Sequence, residues 1–174
     1  VGSYIIYNKH LKGAIQMIGD MQTWTPNVAG IIEHAREIHP KTEIISRLVS
    51  GEIHRSNYEN VCNRARKLAS ALEKDGIQNG DVVATLALNT YRHLEMYYGI
   101  SGMGAVTHTL NFRLHPEQAV YIINHAEDKM IFVELPFVPI LEALQDNLKT
   151  VEKYVVLCEV EEMPKTSLKN VISY

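Results

Sequence analysis

The stretch GAVTHTLNFRLHPEQ, Gly104 to Gln118, runs from an apolar segment through Asn111, Phe112 and Arg113 into a helix start marked by Pro116. A guanidinium is a rigid two-pronged donor, and the amides of a new helix N-terminus add positive character, so the two together suit a phosphate group. The plain alternative is a surface arginine that only caps loop carbonyls. Other chemistries find less support. The glycines of GISGMG close a helix and precede a strand, whereas a phosphate cradle needs a strand opening into a helix. Gly102 and Gly104 are expected instead to permit a helix stop and close packing. No G-x-x-x-x-G-K-S/T run occurs, no Ser stands in G-x-S-x-G, and neither Cys62 nor Cys158 has a His nearby in sequence. Among the eight histidines, His93 lacks a second His four residues on, and His108, His115 and His125 fall on separate elements. Solvated or hydrogen-bonded imidazoles are therefore expected, with no metal site. Tyr91, Tyr97 and Tyr98 read as helix packing.

Positioning Arg113 falls to an alternation of strands and helices. VVATLAL from Val82 reads as a strand buried on both faces, TYRHLEMYYGISGMG as a helix, AVTHTL as a strand and PEQAVYIINHA as a helix with Pro116 first. KMIFV is a third strand, PFVPILEALQDNL a helix carrying Ile140, Leu141, Leu144 and Leu148, and KYVVLC a fourth strand. The pattern predicts an α/β fold, a doubly wound, mostly parallel open sheet over about residues 80–158. Such sheets bind ligands beyond their strand carboxyl ends, here Asn89-Thr90, Asn111-Phe112-Arg113 and Glu134.

Ahead of the sheet, Val28, Ile31, Ile32, Ala35 and Ile38 recur at helical spacing until His39-Pro40, and two β-rich runs flank Ser50-Gly51 as in a hairpin. Ser56 and Glu59 stand at capping-box spacing before a helix whose stripe is Val61, Ala65, Leu68, Ala69 and Leu72, with Gly76 as its stop and Asn79-Gly80 as a turn. Residues 1–26 show no sustained period and read as an irregular arm, with residues 27–174 as the domain. The tail after Glu159 reads as polar loop.

A chain of 174 residues, 46% hydrophobic, suffices for one packed domain with or without a small lobe. Its net charge of −3 argues against a nucleic-acid partner, and no apolar run nears the roughly 20 residues that span a bilayer. Two isolated cysteines and no Asn-x-Ser/Thr acceptor fit a reduced cytoplasmic setting, with peripheral membrane contact left open. The start VGSY, without Met, and the stop at NVISY suggest a piece of a longer protein.

The stretches EIISRLVSGEIHRSNYENVCNRARKLASAL, GIQNGDVVATLALNTYRHLEMYYGISGMGAVTHTLNFRLHPEQAVYIINHAEDK and LKTVEKYVVL resemble the N-terminal part of the acyl-CoA synthetases, the adenylate-forming AMP-binding superfamily, and most closely its medium- and long-chain fatty-acid–CoA ligases. The resemblance covers most of the chain from about Asn27 to Leu157. It implies that a fatty-acid carboxylate attacks the α-phosphorus of ATP to give acyl-adenylate and pyrophosphate, after which the thiol of coenzyme A displaces AMP. Mg²⁺ and cationic groups would neutralise the developing charge. The family supplies these from a Ser/Thr/Gly-rich loop ending in Lys, an adenine- and ribose-binding section and a mobile C-terminal domain with a catalytic Lys, none of which occurs in this chain. The chain therefore looks like a scaffold segment, inactive alone. The resemblance also places the nucleotide end of coenzyme A near Asn111, Phe112 and Arg113, with Arg113 as a phosphate contact; relatives commonly carry Pro for Phe112 and Ser or Thr for His115. It further implies a homodimer contact through the arm. A free-standing α/β binding or signalling module is the alternative, although Leu88-Asn89 and Val133-Glu134 stand where a phospho-receiver would need its acidic cluster and acceptor Asp.

Overall fold

The computed structural model describes residues 27–174, so the expected arm lies outside the described residues. Helix α1 (Val28–Ile38) starts where the Asn27 side chain accepts from the Gly30 amide at 2.8 Å. Its expected apolar stripe is only partly covered. Ile32 packs with Val61 and Cys62, while Val28, Ile31 and Ile38 stay exposed, because the neighbouring helices meet one edge of α1 only. Strands β1 (Glu43–Arg47) and β2 (Ile53–Asn57) form the predicted antiparallel hairpin, with Ser46 opposite His54.

Helix α2 (Tyr58–Lys74) departs from the capping expectation. Ser56 lies within β2, and Asn57 is the cap, accepting from the Asn60 amide at 2.9 Å. The ladder runs through the Asn57–Glu43 pair, so the chain turns helical one residue later than Ser56 would require. The stripe Val61, Ala65, Leu68 and Leu72 is buried, Ala69 is half-buried, and Gly76, at φ +89°, takes the left-handed stop.

Strand β3 (Val82–Leu86) leads into α3 (Tyr91–Gly102), β4 (Val106–Thr109), α4 (Pro116–Ala126) and β5 (Met130–Val133), followed by α5 (Val138–Leu144), β6 (Lys153–Val156) and β7 (Val171–Ser173). The strands form one parallel sheet in the order β4-β3-β5-β6-β7. Alternate residues serve two cores. Val83, Met130, Phe132 and Val155 face α2 and α3 with Leu68, Leu72, Met96 and Ile100. Ala84, Leu86, Ile131, Val133 and Val156 face the other side with Ile123, Leu141 and Leu144. Burial on both faces explains why these strands read as nearly unbroken apolar runs.

Three expectations need correction. The close packing expected of Gly102 and Gly104 holds at Gly104, where the Asn79 side chain leaves no room for a Cβ and the backbone, at φ +92°, makes the reversal into β4, but not at Gly102, where a Cβ would meet only Ala29 at ordinary contact distance; it holds also at Gly99, whose missing side chain lets α3 approach the Ala65 carbonyl of α2. The helix expected over PFVPILEALQDNL is reduced to α5 between two single 3-10 turns, since Pro136 and Pro139 remove amide donors, and Ile140 is exposed while Leu141, Leu144 and Leu148 are buried. The tail after Glu159 contains a short 3-10 turn and strand β7, paired with β6 through Tyr154–Val171 and Val156–Ser173. Three residues are too few for a period-2 signal, so the pairing with β6 creates this strand.

Candidate functional site

Strand order decides where a ligand would sit. The chain leaves β3 through α3 toward the edge strand β4, and leaves β5 through α5 toward β6, so the connections diverge between β3 and β5. The crevice beyond those two carboxyl ends is the topological switch point. Glu134 stands in it at 4% exposure, its amide donating to the Leu86 carbonyl at 3.0 Å and its carboxylate accepting from the Leu88 amide at 3.4 Å. Burial pushes the Glu134 carboxyl above its ordinary range, opposed by the Leu88 amide and by the Arg92 charge.

The first turn of α3 supplies the facing groups. Arg92 is buried and reaches across to β6, its Nη1 donating to the Leu157 carbonyl at 3.2 Å and its Nη2 to the Glu159 carboxylate at 2.7 Å, with the guanidinium 5.3 Å from the Tyr91 ring centroid. His93 Nε2 lies 3.0 Å from Thr85 Oγ1, and Tyr97 stacks on the imidazole at 4.9 Å. Burial pushes the His93 pKa down, opposed by the Leu88 backbone, so the ring is neutral at physiological pH. Thr90 Oγ1, Arg92 Nε and His93 Nδ1 are buried and have no partner among the described residues.

Asn111, Phe112 and Arg113 lie together one strand further out, on the loop that follows edge strand β4. Asn111 Oδ1 accepts from the Arg113 amide at 2.9 Å, a local turn that fixes the backbone. Phe112 stacks on Phe137 with centroids 4.9 Å apart, which ties this loop to the segment leaving β5. The Arg113 guanidinium lies 5.3 Å from the Phe112 ring centroid and meets no carboxylate among the described residues. Helix α4 then opens at Pro116, with Gln118 Oε1 accepting from the His115 amide at 3.2 Å. The sequence therefore located an exposed arginine at the margin, passed over Arg92, and weighed His93 only as a metal ligand. Their signal was position: polar residues in the first turn of the helix that follows a strand apolar on both faces must enter the crevice or be buried against it.

Two further polar clusters lie elsewhere. Glu95 is fully buried, accepting from Arg64 Nε at 2.7 Å and from the Tyr174 hydroxyl at 2.8 Å, so it anchors β7 to α3 and α2. Fully buried Asp128 lies 2.8 Å from His108 Nδ1, and burial raises its pKa to about 6 against the opposing effect of His108. Among the described residues no group of three or more His, Cys, Asp or Glu side chains is placed to hold a metal ion.

The AMP-binding enzyme family matches residues 32–172, which is most of the chain. The chain belongs to the AMP-binding enzyme family. Among the relatives of this family member are a 3-methylmercaptopropionyl-CoA ligase of Ruegeria lacuscaerulensis, 44% identical over 81% of the chain and 26% of the relative, and a long-chain-fatty-acid–CoA ligase of Thermus thermophilus, 45% identical over 76% of the chain and 25% of the relative. A medium-chain-fatty-acid–CoA ligase of Ectopseudomonas oleovorans is 40% identical over 91% of the chain and 29% of the relative. The chain thus spans about a quarter of the length of these curated relatives. Among solved structures, the anthranilate CoA ligase AuaEII in complex with anthranoyl-AMP superposes with a TM-score of 0.71 at 23% identity, covering 79% of this chain and 26% of that one. A putative long-chain-fatty-acid CoA ligase from Rhodopseudomonas palustris superposes at 0.70 with 20% identity, covering 85% of this chain and 35% of that one. At these identities the superpositions speak for the AMP-binding fold alone.

Proposed function

We propose that this AMP-binding family member is the N-terminal scaffold segment of an ATP-dependent, AMP-forming fatty-acid–CoA ligase. The carrying observation is the family match over residues 32–172 together with 40–45% identity to acyl-CoA ligases. In the whole enzyme a carboxylate oxygen bonds to the α-phosphorus of ATP as pyrophosphate leaves, and the coenzyme A sulfur then bonds to the acyl carbon as AMP leaves. Mg²⁺ and the phosphate-binding loop belong to other parts of the enzyme, and the segment alone turns nothing over. Its own contribution is the rigid sheet and one wall of the ligand site. Arg113 is the contact for a coenzyme A phosphate: it is exposed, uncommitted to a carboxylate among the described residues, and held on a loop fixed by Asn111 and by the Phe112–Phe137 stack.

Fatty-acid-dependent ATP–pyrophosphate exchange tests the reading. The full-length parent catalyses it and the isolated segment does not; exchange by the segment sinks the proposal. In the parent, Arg113→Ala raises the KM for coenzyme A roughly three- to tenfold, the loss of one charge-assisted contact at an exposed site, and leaves the KM for ATP in place. An unmoved coenzyme A term returns Arg113 to a plain surface charge. The enzyme is placed in the cytoplasm, and no helix among the described residues is long and apolar enough to cross a membrane. A homodimer contact through residues 1–26 completes the proposal, with exposed Val28, Ile31 and Ile38 of α1 as an adjoining apolar surface. Sedimentation of the parent with and without residues 1–26 checks it; unchanged mass refutes it.

A further inference from the structure

The sheet is covered unevenly at its β7 edge. Val155 of β6 and Ile172 of β7 are register neighbours on the face that α2 and α3 pack against. Val155 is 4% exposed and Ile172 is 45% exposed, so the cover stops between the two strands. On the opposite face Val171 packs against the core that α4 and α5 complete. Two helices about 10 Å across cover about four strands spaced about 4.8 Å apart, and the fifth strand is β7. A groove of about 270 Å³ results, bounded by Lys67 and Ala71 of α2 and by Ile172 and Tyr174 at the sheet edge, over Phe132 and Val155. Parallel sheets carry helices on both faces, because burial on both sides is what their apolar strands require.

The wall formed by α2 fixes the shape and charge of what fits. Arg64, Lys67, Ala71 and Asp75 follow one another along the helix and line the groove over about 16 Å, room for about three helical turns. Arg64 is paired with Glu95 and Asp75 with Lys153, which leaves Lys67 as the rim charge without a carboxylate among the described residues. An amphipathic helix with a carboxylate on one flank matches this lining. Its source follows from chain length. This chain matches only 26% and 25% of the length of two of its ligase relatives, and Ser173 and Tyr174 themselves line the groove. Polypeptide continuing from Tyr174 is already held beside the groove, whereas a separate molecule would bear the full cost of association.

We propose that in the whole ligase an amphipathic helix from the polypeptide after Tyr174 lies along α2 in this groove, its apolar stripe on Ala71 and Ile172 and a carboxylate toward Lys67. The inference rests on the ligase reading, since it draws the helix from the remainder of that enzyme.

The test uses the full-length parent, whose fatty-acid-dependent ATP–pyrophosphate exchange checks the ligase reading separately. With Lys67 replaced by the photoreactive p-benzoylphenylalanine, irradiation is expected to join that position to a peptide of the same chain beyond Tyr174, in which apolar residues recur at helical spacing beside an Asp or Glu. In an independent measurement, read at each site by mass spectrometry, Ile172→Cys is expected to react with a maleimide at least roughly tenfold more slowly than Ser50→Cys at the exposed hairpin turn, the protection that stable burial gives. Capture of residues 1–26, of a second subunit, of a peptide without that pattern, or of nothing by a variant that retains exchange overturns the proposal. An Ile172→Cys thiol as reactive as that of Ser50→Cys overturns it too. Should the photoreactive variant lose exchange, the thiol comparison decides alone.

Discussion

Gly99→Ala is the substitution whose cost can be worked most directly from the packing. Gly99 sits where α3 crosses α2, and a Cβ built there would lie 2.9 Å from the Ala65 carbonyl oxygen and 3.0 Å from Leu68 Cδ2. The leucine methyl can rotate away. The carbonyl belongs to the α2 backbone and moves only if the two helices separate by several tenths of an ångström. Separation would loosen the core that Leu68, Leu72, Met96 and Ile100 build against β3 and β5. Helix propensity alone favours Ala over Gly by about 1 kcal/mol. Forcing a methyl into a packed contact costs about 1–3 kcal/mol, and here the harder neighbour is backbone, which puts the cost at the upper end. The net expectation is a loss of about 1–2 kcal/mol, seen as a lower urea midpoint with unchanged slope in far-ultraviolet circular dichroism. Leu68→Ala in the Gly99→Ala background should recover little, because it leaves the carbonyl in place. A Gly99→Ala chain as stable as the parent, or more stable, refutes the claim that this glycine exists for helix approach.

The other predictions concern the buried charges. Arg64→Met leaves fully buried Glu95 with only the Tyr174 hydroxyl as partner and should cost about 2–3 kcal/mol in urea unfolding, below the usual cost of breaking a buried pair because Arg64 is half-exposed and water can replace it. Adding Glu95→Gln should return part of that loss, and no loss in the single variant refutes the assignment of Glu95 as the anchor of β7. Asp128 binds its proton more tightly folded, with a pKa of about 6, than at its ordinary value of 3.8. The folded state therefore holds more protons between those values, and the contribution of Asp128 to stability is full below pH 3.8 and is lost as pH rises toward 6. Relative to Asp128→Asn, the unaltered chain should lose stability across that window; a difference that stays flat from pH 4 to pH 6 contradicts the burial argument.

Much of the fold was legible because the strands are buried on both faces. MIFV, VVATL and KYVV carry apolar side chains on successive residues, and the helices between them carry the 3.6-residue period, so the element order could be read without tertiary information. What escaped was set by neighbours. Asn57 displaced Ser56 as a cap because the hairpin ladder fixed the preceding residues, and Val171–Ser173 became a strand only because β6 offered a free edge. The site was half legible for the same reason. Sequence order names the strand ends but not which strands are adjacent, so Asn111-Phe112-Arg113 was preferred to Asn89-Thr90 for its arginine beside a helix start. Only the order β4-β3-β5 reveals that the first belongs to the margin and the second to the crevice.

That adjacency divides the charges in a way that bears on where phosphates can go. Inside the crevice Arg92 is neutralised by Glu159, and Glu134 is a buried carboxyl whose ionised form would repel a polyanion. The crevice is therefore poorly suited to phosphate on its own side chains. Arg113, at the β4 margin, pairs with no carboxylate among the described residues, and the Phe112–Phe137 stack joins its loop to the exit of β5. A ligand that carries both a phosphate and an uncharged arm would be met most favourably with its charge at the β4 margin and its arm directed inward over β3 and β5. Altering the two charges tests this: in the parent enzyme Arg113→Glu should raise the KM for coenzyme A further than Arg113→Ala, by like-charge repulsion, whereas Glu134→Gln should leave that KM unchanged. If Glu134→Gln lowers it several-fold instead, the phosphate lies beside Glu134 in the crevice and the division of charges is wrong.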